Sequence, residues 1–215
     1  MLRENFHEKI ALVLTFLILN NYLFLSLSLP QVLIKINFIL FLIIVFVFYF
    51  QNILENLYLK IFFLFLIFIS LGSPAFEWDA RSIWLFHGKR IFYENSVLFL
   101  GNDYTFSHNE YPNLAPAFSS ALAILIGHWN EVFPKLSFTL MFLPPLILIY
   151  SFLKDTRYLI FLSIVFFIVG KFLLNGWADG LVAVYFGISA FLMYLLFIID
   201  TNYYRNRILY YFLAF

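Results

Sequence analysis

The sequence predicts an all-α, polytopic helical membrane protein, and three observations carry that expectation. Charged residues make up only 12% of the chain and hydrophobic ones 64%, against roughly 25% charge in ordinary globular domains. Six long stretches, beginning with Ile10 to Ile34 and Ile36 to Leu54, contain no Asp, Glu, Lys or Arg, and about 20 mainly apolar residues suffice for a spanning helix. Much of the remaining polar chemistry is gathered into one island, Glu77 to Lys135.

Taken in order, the spans are expected at about 10–29, 36–54, 61–76, 136–153, 158–174 and 180–199, with a further apolar run, 208–215, where the sequence stops. The first run is too long for a signal-peptide core and lacks a small-residue cleavage site, so it reads as an uncleaved span. No cysteine occurs, which excludes disulfides and thiolate metal sites. A net charge of +1 gives no basic footprint for nucleic acid. Membrane lipids are the expected surroundings.

Orientation follows from the basic residues, which favour short cytoplasmic loops. With the N-terminus inside, the third span delivers Glu77 and Asp79 to the outer face. The segment 112–127 is apolar but interrupted by Pro116, Ser119 and Ser120. If it crossed, Lys154 and Arg157 would lie outside. If it dips into the membrane and returns, then Arg3, Lys9, Lys60, Lys154, Arg157, Arg205 and Arg207 all fall inside, and Asp79 and Asp179 share the outer face. The positive-inside rule favours the second arrangement, making 77–135 one large outer loop with interfacial helices and a membrane-dipping segment.

Within that loop a helix is expected from Ala80 to Phe92. Ile83, Trp84, His87 and Ile91 share one side, while Arg81, Lys89 and Arg90 gather on another. Asp79 can serve as its N-cap, yet an acid at the exit of an apolar span, beside Glu77, also fits a site for chemistry. The three cations fit either headgroup contacts or a phosphate. His108-Asn109-Glu110-Tyr111-Pro112 leads back to the membrane, and His128 to Lys135 reads as a second interfacial turn. His87, His108 and the acids lack metal-ligand spacing. Pro144-Pro145 should kink the fourth span. Lys171 and Asn175-Gly176-Trp177-Ala178-Asp179-Gly180 form the last outer turn, where two glycines flanking an acid allow close backbone approach to a ligand. The plain alternative is a Gly-rich turn in which Asp179 caps the next helix.

These residues resemble the GT-C superfamily of integral membrane glycosyltransferases, in its bacterial lipopolysaccharide-modifying and protein-mannosylating branch. Trp78-Asp79-Ala80 with Trp84 and Lys89, the re-entry Tyr111-Pro112-Asn113-Leu114-Ala115-Pro116, and Trp177-Ala178-Asp179-Gly180-Leu181 carry the likeness, which runs from about Leu71 to Phe197. The resemblance implies a multi-pass protein of the bacterial inner membrane with its active site on the outer face. It implies inverting sugar transfer from a polyprenyl-phosphate carrier to a glycan, lipid or protein acceptor. Asp79 would be the general base with Glu77 beside it, and Arg81, Lys89, Arg90, His108, Glu110, Tyr111, Lys171 and Asp179 would bind substrate. A divalent cation, Mg or Mn, would lie on Asp79 and Asp179 if one is used. Family members are far longer, so this chain is expected to be an N-terminal catalytic portion. A transporter or flippase of lipid-linked substrates and a non-catalytic membrane subunit are the competing classes. The first of these would need an internal repeat and acids near the midplane, and neither is evident.

Overall fold

The computed structural model describes residues 6–51, 57–75, 77–98, 108, 111–153, 157, 160, 164, 168 and 174–198. Among the described residues every regular element is helical. The elements are α1 (Phe6–Ser26), α2 (Gln31–Phe50), α3 (Leu57–Gly72), a π turn (Ala80–Trp84), α4 (Leu85–Glu94), α5 (Leu114–Ile126), α6 (Phe133–Met141), α7 (Leu143–Leu153) and α8 (Asp179–Ile198). Among the described residues four helical stretches, Phe6–Ser26, Gln31–Phe50, Phe133–Phe152 and Asp179–Phe197, are long and apolar enough to cross a membrane. The protein is a helical membrane protein.

The α1–α2 hairpin closes through local hydrogen bonds. Ser28 takes φ 50°, Leu29 N–H donates to Phe24 O (2.9 Å) and Ser28 N–H to Leu25 O (3.2 Å), a Schellman arrangement that uses carbonyls the helix end would otherwise leave free. Pro30 then precedes α2. Inside the hairpin, Asn21 and Asn37 both donate to Leu17 O, at 3.1 and 2.7 Å. With little hydrophobic drive between helices in lipid, such polar contacts hold spans together.

α3 begins at Leu57 rather than near 61, so Lys60 lies in a helix and not in a loop. Its ammonium donates back to Gln51 O at 3.1 Å and sits 5.6 Å from the Phe48 ring, which lets a cation occupy a buried position near a helix end. The helix stops at Gly72, two residues before Pro74, whose ring disfavours helical backbone in the residue preceding it. At 16 residues it is about 24 Å long, the length of the expected span 61–76 but set four residues nearer the N-terminus.

α5 settles into the centre. Phe118 packs its ring 4.9 Å from Phe38 and 5.1 Å from Phe41 of α2, and Pro116 falls in the first turn of α5, where its missing N–H costs nothing. At 13 residues α5 reaches only about 20 Å. Both of its flanks return to one end of the bundle. Asn113 before it touches His87 of α4, and Lys135 after it reaches the carbonyl of Ser73, beyond the end of α3. We call this the loop end.

The stretch 133–152 is broken where the sequence places two prolines: α6 ends at Met141 and α7 starts at Leu143. Pro144 and Pro145 have no N–H to offer the carbonyls of Leu140 and Met141. Tyr185 of α8 donates its hydroxyl to Met141 O at 3.0 Å, filling one of those vacancies. Most of the expected span 158–174 and the apolar run 208–215 lie outside the described residues.

Candidate functional site

The loop end is assembled from the exit of α3, the π turn with α4, the entry to α5, the start of α6 and the turn before α8. Asp79 stands at the junction of the first two. Its backbone is already helical, φ −62° and ψ −40°, and its carboxylate makes no capping bond, so the expectation of a simple N-cap does not hold. Ser82 Oγ donates to Trp78 O at 2.6 Å, taking the carbonyl to which an α-helical Ser82 N–H would point. Such back-bonding distorts helices, and here the ladder widens so that Leu85 N–H reaches Ala80 O five residues back. No signal in the sequence distinguished this π turn from ordinary helix.

Across the π turn and α4 the expected amphipathic face is present, with Ile83, Trp84, His87 and Ile91 all buried. Trp84 is therefore covered by protein, and Trp78, 61% exposed, is the surface indole. The cations do not form a single basic patch. Arg81 and Lys89 are exposed, whereas Arg90 is buried and its Nε donates to Glu94 at 2.8 Å. α4 is stitched to the α1–α2 turn, because Asn95 Nδ2 donates to Leu29 O (3.0 Å) and Val97 N–H to Leu25 O (3.3 Å). α4 lies close on α5 at Gly88. A Cβ there would meet Ser119 Oγ, Trp129 at 3.0 Å and the Pro116 carbonyl at 3.2 Å.

Tyr111 and His108 stack with ring centroids 4.9 Å apart, and Tyr111 also lies 5.6 Å from Trp84. His87 Nδ1 is 3.1 Å from Asn113 Oδ1. The entry to α5 is thus tied to the π turn by aromatic rings and to α4 by a polar contact. Glu110 and Lys171, expected to bind substrate, lie outside the described residues.

The second acid-bearing turn packs against the first. Gly176 has φ +105°, and a Cβ on it would lie 3.3 Å from Leu85 and 3.6 Å from Ala80. Ala80 directly follows Asp79, and Gly176 is three residues before Asp179, which opens α8. Nearly a hundred residues apart in the sequence, the two acidic turns touch. Glu77 and Asp79 are half-buried and Asp179 is exposed. The same turn is pinned to α3, since Ser70 Oγ donates to Leu174 O at 3.2 Å.

Sequence reasoning missed Lys135. It is fully buried, with its Nζ against Ser73 O, so its charge meets the negative end of the α3 dipole. Asn130 was likewise read only as part of a turn. Its Oδ1 accepts from the N–H groups of Val132 and Phe133, at 3.0 and 2.9 Å, and caps the entry to α6. A cleft of about 550 Å³ between α2 and α3, lined by Leu42, Phe46, Tyr49, Lys60 and Leu64 among others, opens toward the opposite end and includes none of the expected site residues. Among the described residues no three His, Asp or Glu side chains form a group able to hold a metal ion.

No family model, no curated protein and no solved structure matches this chain.

Proposed function

We propose that the chain is a membrane glycosyltransferase, or the catalytic portion of one. It would move a sugar from a polyprenyl-phosphate carrier to a hydroxyl-bearing acceptor at the outer face of the membrane. The observation that carries the reading is the contact of the two acidic turns through Gly176, Ala80 and Leu85, which sets Asp79 and Asp179 on adjoining segments at one end of the bundle. The π turn beginning immediately after Asp79 supports it as well, since such turns are frequent at functional sites.

In this mechanism Asp79, half-buried at the exit of α3, takes the proton of the acceptor hydroxyl as its oxygen attacks the anomeric carbon from the face opposite the phosphate. The configuration at that carbon inverts, and the bond to the lipid phosphate breaks. Glu77 and Asp179 orient the acceptor. The exposed cations Arg81 and Lys89 are available to the departing phosphate, where opposite charge lowers the barrier. No step is assigned to a divalent ion.

The test is a transfer assay with labelled polyprenyl-phosphate sugar in membranes containing the chain. Asp79→Asn should lower transfer by a factor of 10² or more, in the range of lost general-base catalysis, with membrane insertion unchanged. Full activity in that variant removes the assignment.

A transporter of the same lipid-linked substrates is the second reading, and one observation favours it. The 133–152 stretch is interrupted at Phe142, and broken helices mark many transport sites. Substrate movement into sealed vesicles without any change of product would favour it over transfer.

A further inference from the structure

Two buried polar groups at the last turn of α3 play no part in the chemistry above. Lys135 donates to Ser73 O. An ammonium carries three N–H donors, so this one bond leaves capacity to spare. Asn175 is fully buried, and among the described residues neither its Oδ1 nor its Nδ2 has a hydrogen-bond partner. The two are held to the same stretch of α3. Ser70 fixes Leu174, the neighbour of Asn175, and Ser73 fixes Lys135. Ser70 and Ser73 are themselves linked, Ser73 Oγ to Ser70 O at 3.5 Å. A primary amide with both ends unpaired in an apolar interior is costly, and replacement by any aliphatic residue would relieve it.

The chemistry of the two groups discriminates between ligands. A phosphate or carboxylate would accept from Lys135 and Asn175 Nδ2, but it would leave Oδ1 unpaired and set against another negative oxygen. A metal ion or an ammonium would take Oδ1, strand Nδ2 and meet the Lys135 charge. A pair of neighbouring hydroxyls answers all three groups: one O–H donates to Oδ1, while hydroxyl oxygens accept from Nδ2 and Lys135 Nζ. Asn175 stands two residues before half-buried Trp177 and four before exposed Asp179, on the turn that leads into α8. We propose that Lys135 and Asn175 form a hydroxyl-recognition subsite that takes the vicinal hydroxyls of a carbohydrate or polyol. This deepens the glycosyltransferase reading, and rests on it, by naming what the loop end recognises.

The experiment uses the full chain in lipid nanodiscs. The probes are methyl α-mannopyranoside, methyl β-galactopyranoside and glycerol, with inorganic phosphate and magnesium chloride as contrasts. Saturation-transfer NMR reads binding of the three organic probes, and the thermal unfolding midpoint reads all five. At least one hydroxyl-bearing probe should show transfer and raise the midpoint. Asn175→Leu should weaken that binding tenfold or more, while its own midpoint without probe equals or exceeds that of the wild type. If the leucine variant fails to fold, Asn175→Ser is read for binding in its place. The inference is overturned if no hydroxyl-bearing probe binds, if the substituted protein binds as tightly as wild type, or if only phosphate or magnesium shifts the midpoint. The catalytic reading is scored separately by Asp79→Asn in the transfer assay. Hydroxyl binding together with an active Asp79→Asn enzyme sinks that reading alone. Absent hydroxyl binding with an inactive Asp79→Asn enzyme sinks this inference alone.

Discussion

The hydroxyl of Tyr185 donates to the carbonyl of Met141 across the α7–α8 side of the bundle, at 3.0 Å. That carbonyl lacks its helical donor because position 145 is proline. The bond is therefore a repair of the helix break, made by another span. Tyr185→Phe should lower the unfolding midpoint, corresponding to about 1–3 kcal/mol for a buried carbonyl left unpaired. Pro145→Ala restores an N–H at the break, so Tyr185→Phe should cost markedly less in that background. A double-mutant cycle followed by thermal unfolding in detergent checks this, and purely additive effects would contradict it.

Gly88 marks the closest approach of α4 to α5. Gly88→Ala places a methyl against Ser119 Oγ, Trp129 and the Pro116 carbonyl, and overpacking of this kind costs about 1–3 kcal/mol. Because the Pro116 carbonyl is backbone and cannot turn aside, Ser119→Gly should recover only part of the loss. The midpoints of the two single variants and the double variant measure it.

Thr139 and Ser120 are buried, and the hydroxyls of both lack a hydrogen-bond partner among the described residues. Thr139→Val keeps the shape and removes the unpaired oxygen. It should be neutral or stabilising by up to about 1 kcal/mol. A drop of several degrees in the unfolding midpoint would show that the hydroxyl has work to do.

The touching acidic turns make a prediction about sidedness. Single cysteines at Asp79 and Asp179, introduced into a chain with no natural cysteine, should react with an impermeant thiol reagent from the same side of intact cells. Labelling of one only after the membrane is opened would separate the two acids. It would remove the basis for placing both in one site.

Much of the helical layout was legible because lipid imposes a coarse rule: about 20 residues without charge make a span. The kink at Pro144-Pro145 and the buried face of Ile83, Trp84, His87 and Ile91 followed from proline chemistry and helical period. What escaped reading depends on partners remote in sequence. Lys135 read as a loop cation because nothing nearby reveals that the α3 terminus lies against it. Lys60 read as a loop residue because its charge is satisfied by bending back to Gln51 rather than by exposure. The π turn turns on one serine hydroxyl competing for a carbonyl, a choice that composition and period do not record. That the Asp79 and Asp179 turns share one end of the molecule was expected from the charge distribution, whereas their direct contact, Gly176 against Ala80 and Leu85, became visible only in three dimensions.

The shared carbonyl of Leu17 has a consequence for how the first hairpin assembles. Two amides, one from each helix, converge on a single oxygen, so sliding α2 by one residue, or rolling it by a third of a turn, would break the bridge between the helices. Neighbouring hydrocarbon surfaces would tolerate either slip with little penalty. Asn37 thus acts as an alignment pin: once the first two helices meet, only one vertical setting is comfortable, and later helices dock onto a template whose height is already decided.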